Sequence, residues 1–152
     1  MRIRTIQSED NPFIAEIIRD QLRKNNLALP GTVYYDEHLD RLSEFYTNHP
    51  KRKYFVAVDS DDTVLGGIGL SEFDGIDNCA ELQKLYLSDR AHGHGYSYPL
   101  IETVIQEAKD MQYQRLYIET HTNFKAAMHV YEKMGFKEIE KPASCMHSTM
   151  NK

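Results

Sequence analysis

The sequence predicts a mixed α/β (α+β) domain, in which a central sheet of about six to seven strands is flanked by four helices. Two observations support this prediction. The spacing of apolar residues changes along the chain, from helical before residue 50, to strand-like between 53 and 87, to alternating helical and strand segments after 95. The length of 152 residues suits one domain, and no repeat or low-complexity linker divides residues 1–152.

The first 50 residues predict one strand and two helices. Residues 2–6 form the strand, and Asn11-Pro12 begins the first helix, with Asn as its cap and Pro at its first position. Leu29-Pro30-Gly31 separates this helix from the second, which is predicted to run from Asp36 to just before His49.

Three antiparallel strands are predicted next. They cover residues 54–58, 63–73 and Cys79–Leu87, and polar turns at 59–62 and 74–78 join them. The second of these strands contains three glycines, which predict a bulge or a close backbone neighbour.

The last third of the chain alternates helices and strands. A helix follows Gly95, a strand covers Arg115–Glu119, and another helix ends at Gly135, a residue type typical of helix C-caps. Two final strands are predicted at 136–139 and 145–150. The last is expected to be an exposed edge that can pair with a second copy in a homodimer.

Composition excludes several classes of function. The chain has 18 basic and 23 acidic residues, a net charge of −5 and a pI near 5.8, so neither nucleic acid nor an anionic membrane is the expected partner. Its longest uncharged apolar run, residues 64–70, is too short to cross a bilayer. With no secretory signal and no disulfide framework from Cys79 and Cys145, a reduced, cytoplasmic protein is expected.

A glycine-rich loop follows the strand that ends at Leu87. Gly93 and Gly95 permit close approach of a ligand to the backbone, and the loop leads into a helix whose amino end attracts phosphate. A dinucleotide-binding fingerprint is excluded because position 98 is Tyr, and the Gly-Lys-Ser/Thr of a nucleotide P-loop is absent. Taken alone, two alternating glycines suit a solvated turn equally well.

The context of this loop is more specific. Arg90-x-x-Gly93-x-Gly95 after a strand resembles the Arg/Gln-x-x-Gly-x-Gly/Ala signature of the GNAT (GCN5-related) N-acetyltransferases. Downstream, Asn123-x-x-Ala126-x-x-x-x-Tyr131-Glu132-Lys133-x-Gly135-Phe136 is similar to a second motif of that family. The resemblance implies the GNAT acyl-CoA N-acyltransferase fold, acetyl-CoA as cosubstrate and no metal. His92, Ser97 and Pro99 depart from the usual family pattern.

The resemblance also implies which residues hold acetyl-CoA. Main-chain groups of Leu85, Tyr86 and Leu87 are expected to bond the pantetheine arm, like a neighbouring half-strand. Loop amides are expected to bind the pyrophosphate; they belong to Arg90, Ala91, His92, Gly93, His94, Gly95, Tyr96 and Ser97. Asn123 is expected to bond a pantetheine amide, with Ala126 on the same side, although Asn123 suits a helix N-cap equally well.

Two residues are implied in the chemistry. The resemblance places Tyr131 near the thioester sulfur, where it would protonate the departing thiolate, whereas periodicity alone suits a buried core tyrosine. Glu81 would take the proton that an amine must lose before it attacks, and a salt-bridged surface acid is the alternative. Glu119 is a second candidate base, and a chain of waters is a third.

The acceptor is expected to be a small molecule with a primary amine. Apolar and aromatic residues between the first two helices suit the wall of a small pocket: Leu27, Leu29, Val33, Tyr34 and Tyr35. The alternatives are a protein terminus or lysine as acceptor, and a non-catalytic module that senses coenzyme A. Asp74 and Asp77 could attract a cationic amine.

Two other kinds of site are not favoured. His92 and His94, with His121 or His147 as a third ligand, lack a cysteine or carboxylate at structural-zinc spacing. Cys145 shares a strand face with His147, but no orienting acid is evident for a nucleophilic pair.

Overall fold

The structure, a computed structural model, describes residues 1–120, 125–138 and 145–149. Its strands and helices are β1 (Arg2–Thr5), α1 (Asn11–Lys24), α2 (Leu42–Thr47), β2 (Lys53–Val58), β3 (Val64–Glu72), β4 (Cys79–Leu87), α3 (Ser97–Asp110), β5 (Arg115–Glu119), α4 (Lys125–Lys133), β6 (Lys137–Glu138) and β7 (Cys145–Thr149). This order of elements confirms the predicted fold class. None of the helices within these residues is long and apolar enough to span a bilayer.

The strands form one sheet in the order β1-β2-β3-β4-β5-β7-β6. β4 and β5 pair in parallel, and every other pair of neighbours is antiparallel. The parallel ladder stops at Leu82 and Ile118. In the described part of the chain, residues 83–87 of β4 continue beside β3 without β5, so the sheet opens at the carboxyl ends of β4 and β5.

Apolar side chains cover both faces of this sheet. On one face, α3 and α4 pack in a core that includes Leu100 and Leu116. On the other face, α1 and α2 pack over Tyr54 in a core that includes Ile18 and Tyr46. Burial on both faces explains why β2 and β3 are nearly continuous apolar runs in the sequence.

Two predicted features differ from the structure. β7 pairs with both β5 and β6, so the strand expected to offer an exposed edge to a second copy is an interior strand. The helix predicted from Asp36 starts as a 3-10 segment, Glu37–Arg41, and becomes an α-helix only at Leu42–Thr47. The break lies at Arg41, whose φ of −134° and ψ of 40° are not helical.

The first helix begins at Asn11, but Asn11 does not cap it. Its side-chain nitrogen donates to Ser43 Oγ (2.8 Å), and its side-chain oxygen accepts from the Ser43 backbone N–H (3.0 Å). The cap position is Asp10, whose carboxylate binds Arg4 (2.7 Å). Asn11 therefore ties α1 to α2.

Candidate active site

A β-bulge in β4 shapes the opening of the sheet. The register between β3 and β4 shifts between Gly67 and Gly69, and Lys84 has a left-handed backbone with φ of +50°. The Lys84 carbonyl oxygen accepts a hydrogen bond from the buried Tyr54 hydroxyl (2.9 Å). The bulge is therefore anchored from the core beneath it.

The bulge changes which face of the sheet each side chain of β4 occupies. Leu82 packs in the core under α3, and so do Leu85 and Leu87, three and five residues later. Strict alternation from Leu82 would bury Lys84 in that core. The extra residue instead places Lys84 on the opposite face, where Tyr86 also packs.

The glycines of β3 make room for this arrangement. A Cβ on Gly66 would lie 2.2 Å from the carbonyl oxygen of Tyr86, next to the bulge. A Cβ on Gly69 would lie 2.7 Å from the hydroxyl of Tyr46. The three glycines of the sequence predicted a bulge or a close neighbour, and both are present.

Two cavities open where β4 and β5 separate. The first, about 530 Å³, contains Glu81 and Glu119 in its wall and is called the carboxylate cavity. The second, about 500 Å³, is walled by the glycine-rich loop and is called the loop cavity. Leu85, Tyr86 and Ala127 line both, so the two cavities adjoin, and together they are called the cleft.

Glu81 lies partly buried in the wall of the carboxylate cavity. Its Oε1 accepts a hydrogen bond from Gln83 Nε2 (2.7 Å), and Gln83 Oε1 accepts one from the Tyr46 hydroxyl (2.6 Å). Burial raises the pKa of Glu81, and Glu119 raises it further, while the bond from Gln83 lowers it. A raised pKa strengthens a carboxylate as a base, which suits proton transfer near neutral pH.

Tyr131 lies on α4 and lines the same cavity as Glu81. The residue is 4% exposed, and its ring packs edge-on against Phe136 with the centroids 5.9 Å apart. Burial raises the pKa of Tyr131, and Tyr86 adds to the rise, so the hydroxyl stays protonated at neutral pH. Tyr131 is thus a core residue that also lines the cavity, and its predicted role beside the thioester stays a prediction.

The glycine-rich loop turns at two residues with left-handed backbones, Gly93 (φ +83°) and Gly95 (φ +72°). No carbonyl within the described part of the chain accepts from the main-chain N–H groups of residues 93–97. The His94 ring stacks on Tyr96, with the centroids 5.1 Å apart. A row of unpaired N–H groups at the start of α3 is suited to bind phosphate.

The unpaired N–H groups of the loop span fewer residues than the stretch predicted to bind pyrophosphate. The N–H groups of Ala91 and His92 already donate to carbonyls of the preceding turn, over 2.9 and 3.2 Å. His92 Nε2 donates to the carbonyl of Leu87 (3.1 Å), and the Arg90 guanidinium donates to Asp59 (3.0 Å). Arg90 does not line the loop cavity. The available amides are therefore those of residues 93–97.

Two of the five residues predicted to line an acceptor pocket line the carboxylate cavity. Leu27 and Val33 line the carboxylate cavity. Leu29 and Tyr35 instead face solvent, with 52% and 63% of their surface exposed. Tyr34 lies under the guanidinium of a neighbouring arginine on α1 and does not line the cavity.

Other predicted residues have different positions. Asp74 and Asp77 are exposed in the turn between β3 and β4 and line neither cavity. Ala126 lines the loop cavity, and its predicted contact with acetyl-CoA stays a prediction. Asn123 lies outside the described residues, and its predicted role stays a prediction. His121 and the side chains of Cys145 and His147 are also outside that description.

Three residues of the cleft were missed in the sequence. Gln83 and Lys84 line the carboxylate cavity, and their placement depends on the bulge. The sequence signal for the bulge is a change in the spacing of apolar residues, which is two up to Leu82 and three from Leu82 to Leu85. Lys125, at the start of α4, lines the loop cavity, where it is the single Lys or Arg among the described lining residues. Nothing in the sequence separates Lys125 from other exposed lysines.

Comparisons with known proteins match this chain to one family. The model of the acetyltransferase (GNAT) family matches residues 12–136. The uncharacterized N-acetyltransferase YjgM of Escherichia coli (strain K12) is 32% identical over 145 residues, which cover 94% of this chain and 86% of that protein.

Solved structures share the fold. An acetyltransferase of the GNAT family from Staphylococcus aureus Mu50 has a TM-score of 0.85 at 20% identity, over 99% of both chains. Spermidine N-acetyltransferase from Vibrio cholerae, in complex with CoA and spermine, has a TM-score of 0.73 at 21% identity, over 98% of this chain and 95% of that one.

Proposed function

This chain belongs to the acetyltransferase (GNAT) family, and from that premise we propose that it moves the acetyl group of acetyl-CoA to the primary amine of a small molecule. The amine attacks the thioester directly while both substrates occupy the cleft, and no enzyme residue is acetylated on the way.

One observation carries the proposal. Glu81 and Tyr131 line one cavity, and that cavity adjoins the cavity walled by the glycine-rich loop. A thioester that reached the junction at Leu85 and Tyr86 would meet an amine beside both groups. Holding the two reactants together in one cleft supplies much of the rate by proximity and orientation.

The residues of the loop cavity fit acetyl-CoA, which supplies the acetyl group when bound. The unpaired N–H groups of residues 93–97 suit its pyrophosphate, and Lys125 adds a positive charge to the same cavity. The main chain of 85–87, beyond the end of the β5 ladder, suits the amides of the pantetheine arm.

Glu81 acts as the general base in this proposal. A primary amine is protonated at neutral pH and cannot attack until it loses a proton. Glu81 takes that proton, directly or through a water. The hydrogen bond from Gln83 holds the Glu81 carboxylate in one orientation. Glu119 is exposed, and its negative charge also attracts the protonated amine.

Tyr131 acts as the general acid. As the C–N bond forms and the C–S bond breaks, the departing sulfur gains negative charge and needs a proton. Burial keeps the Tyr131 hydroxyl protonated, so it has that proton to donate. The main chain of 85–87 stabilises the charge on the carbonyl oxygen by hydrogen bonding.

A small acceptor suits the carboxylate cavity better than a protein segment. Its volume of about 530 Å³ is in the range of small-molecule sites. Leu22, Leu27 and Val33 provide an apolar wall on the side away from β5. The Vibrio cholerae protein of similar fold, a spermidine N-acetyltransferase, also acts on a small amine.

The test combines binding and turnover. Acetyl-CoA binding is measured by calorimetry, and thiol release is then followed with a panel of small amines and of peptides that carry a free terminus or a lysine. Micromolar binding and turnover of small amines alone support the proposal. Preference for the peptides would favour a protein acceptor, and binding without turnover would favour a coenzyme A sensor.

A variant pair separates the phosphate cradle from general damage. Gly93→Val and Gly95→Val together place β-branched residues at left-handed backbones and should abolish binding of acetyl-CoA. Gly31→Val makes the same change at φ +87°, at a residue that lines neither cavity, and should leave that binding intact. Equal loss in both variants would mean that the loop does not hold the phosphates.

A further inference from the structure

Lys84 is the single cation among the described residues that line the carboxylate cavity. The bulge fixes its position, because its backbone is left-handed (φ +50°) and its carbonyl is bonded to Tyr54 (2.9 Å). A left-handed backbone is unfavourable for lysine, and partial burial of an ammonium is unfavourable too. Burial indeed lowers the pKa of Lys84.

Among the residues that the structure describes, none supplies an anion bonded to this ammonium. Asp36 and Glu81 are near enough to favour its charged form, yet no carboxylate in the described ranges forms an ion pair with it. Other partly buried cations are paired, such as Arg52 with Glu72 at 2.8 Å. A partly buried cation that faces an open cavity is suited to an anionic ligand group.

We propose that the acceptor carries a carboxylate as well as its amine, and that Lys84 binds this carboxylate. The proposal rests on the proposed function and narrows it to one class of amine. Glu81 and Lys84 offer opposite charges within one cavity, so an amino acid can satisfy both, with its amine toward Glu81 and its carboxylate on Lys84. The apolar wall of Leu22, Leu27 and Val33 suits an aliphatic side chain on that amino acid.

A polyamine leaves Lys84 without an anion. Glu81 and Glu119 can attract its ammonium groups, but none of these can pair with the Lys84 ammonium, and like charges in a partly buried site repel. An uncharged substituent would avoid the repulsion but leave Lys84 unpaired. The carboxylate therefore distinguishes this chain's acceptor from the polyamine named with the Vibrio cholerae structure.

The experiment compares matched acceptors. Thiol release is measured with aliphatic L-amino acids, with their carboxamides, with the amines that lack the carboxyl group, and with spermidine. Each kcat/KM is expressed per unprotonated amine, because the amide lowers the pKa of its neighbouring amine. We expect the amino acid to exceed its amide and its amine by about tenfold or more, the factor that 1.4 kcal/mol of added binding gives.

Variants of Lys84 then test whether this lysine causes the preference for amino acids over their amides. Lys84→Gln should reduce the ratio of amino acid to amide by about tenfold, mainly through KM, and Lys84→Arg should keep most of it. Lys109→Gln, at an exposed lysine of α3 that lines neither cavity, should keep the ratio. Acetyl-CoA affinity is measured for each variant to show that the fold is intact.

The outcomes separate the two proposals. If wild-type protein acetylates none of these amines, the proposed function fails. If it acetylates amines but prefers amides, simple amines or spermidine over amino acids, the proposed function stands and the carboxylate assignment is overturned. The assignment is also overturned if Lys84→Gln changes all acceptors equally.

Discussion

Gln83 Nε2 donates a hydrogen bond to Glu81 Oε1 over 2.7 Å. The orientation of the Gln83 amide is set from the core, because its oxygen accepts from the hydroxyl of the fully buried Tyr46 over 2.6 Å. The amide therefore presents its N–H₂ group to the carboxylate. Through this chain of contacts, the packing under α2 positions the proposed base in an otherwise open cleft.

Replacement of Gln83 should move the pH dependence of catalysis. Glu81 must be deprotonated to act, so activity rises with pH through its pKa. The bond from Gln83 lowers this pKa, and its loss in Gln83→Leu should raise it. We expect the acidic limb of kcat/KM to move to higher pH, measured with one amine throughout. Gln106→Leu, on the exposed face of α3, is the control and should leave the limb in place.

Removal of Glu119 should have the opposite effect. The negative charge of Glu119 raises the pKa of Glu81, so Glu119→Gln should lower it and move the same limb to lower pH. Glu102→Gln on α3 removes an acid that lines neither cavity and should not move it. A limb that responds to neither Gln83→Leu nor Glu119→Gln would show that Glu81 is not the titrating group and would favour the chain of waters.

The sequence predicted the order of elements well because apolar spacing reports burial directly. It failed where one residue changes a pattern. Lys84 comes two residues after Leu82, so regular strand alternation would place it in the same core as Leu82. The bulge that places Lys84 on the opposite face depends on contacts from Tyr54 and Gly66, which are distant in the chain. The interior position of β7 could not be predicted either, because the strand order depends on which edge of the sheet is unpaired when the chain leaves α4.

The motifs predicted the glycine-rich loop better than its individual contacts. The family pattern identified the loop, but which amides are free depends on a 3-10 turn, Asp89–Ala91, that uses two of them. Arg90 resembles a phosphate-binding residue in the motif, yet Asp59 lies close enough to bind it. Such competition between partners is a property of the folded chain and cannot be predicted from the spacing of residues in the sequence.

Loss of the Tyr131 hydroxyl should slow catalysis without weakening the binding of acetyl-CoA. Tyr131→Phe keeps the ring that packs against Phe136 but removes the proton donor. We expect kcat to fall by roughly a hundredfold, with acetyl-CoA affinity unchanged by calorimetry. Tyr113→Phe also removes a buried hydroxyl, one without a hydrogen-bond partner among the described residues, and should leave kcat unchanged. Unchanged kcat in Tyr131→Phe would return Tyr131 to a purely structural role.

A methyl group on Gly66 should lower the stability of the fold. Its Cβ would lie 2.2 Å from the Tyr86 carbonyl oxygen, so the backbone of β4 must move. Overpacking of this kind costs about 1–3 kcal/mol, which urea unfolding of Gly66→Ala should show. Gly75→Ala, in the exposed turn, meets the ring of Phe73 at 3.0 Å, a side chain that can shift more easily than a backbone carbonyl, and should cost less. Equal stability of the two variants would mean that β4 is not held against β3 at the bulge.

Lys125 should contribute to acetyl-CoA affinity through charge. Because it is exposed, its attraction to phosphate is screened by salt. Lys125→Gln should weaken acetyl-CoA binding by about three- to tenfold at low ionic strength, and the difference should shrink as salt is added. Lys133→Gln, at the other end of α4, makes the same change away from the loop cavity and should have no effect.

A shortened thioester makes this prediction sharper. S-acetylpantetheine keeps the thioester and the pantetheine amides but lacks the pyrophosphate, so it should not distinguish Lys125→Gln from wild-type protein. If Lys125→Gln weakened both thioesters equally, its effect would come from a displaced α4, which also carries Tyr131, and not from phosphate binding. A loss confined to acetyl-CoA would place the phosphates at the start of α4, opposite the N–H groups of residues 93–97.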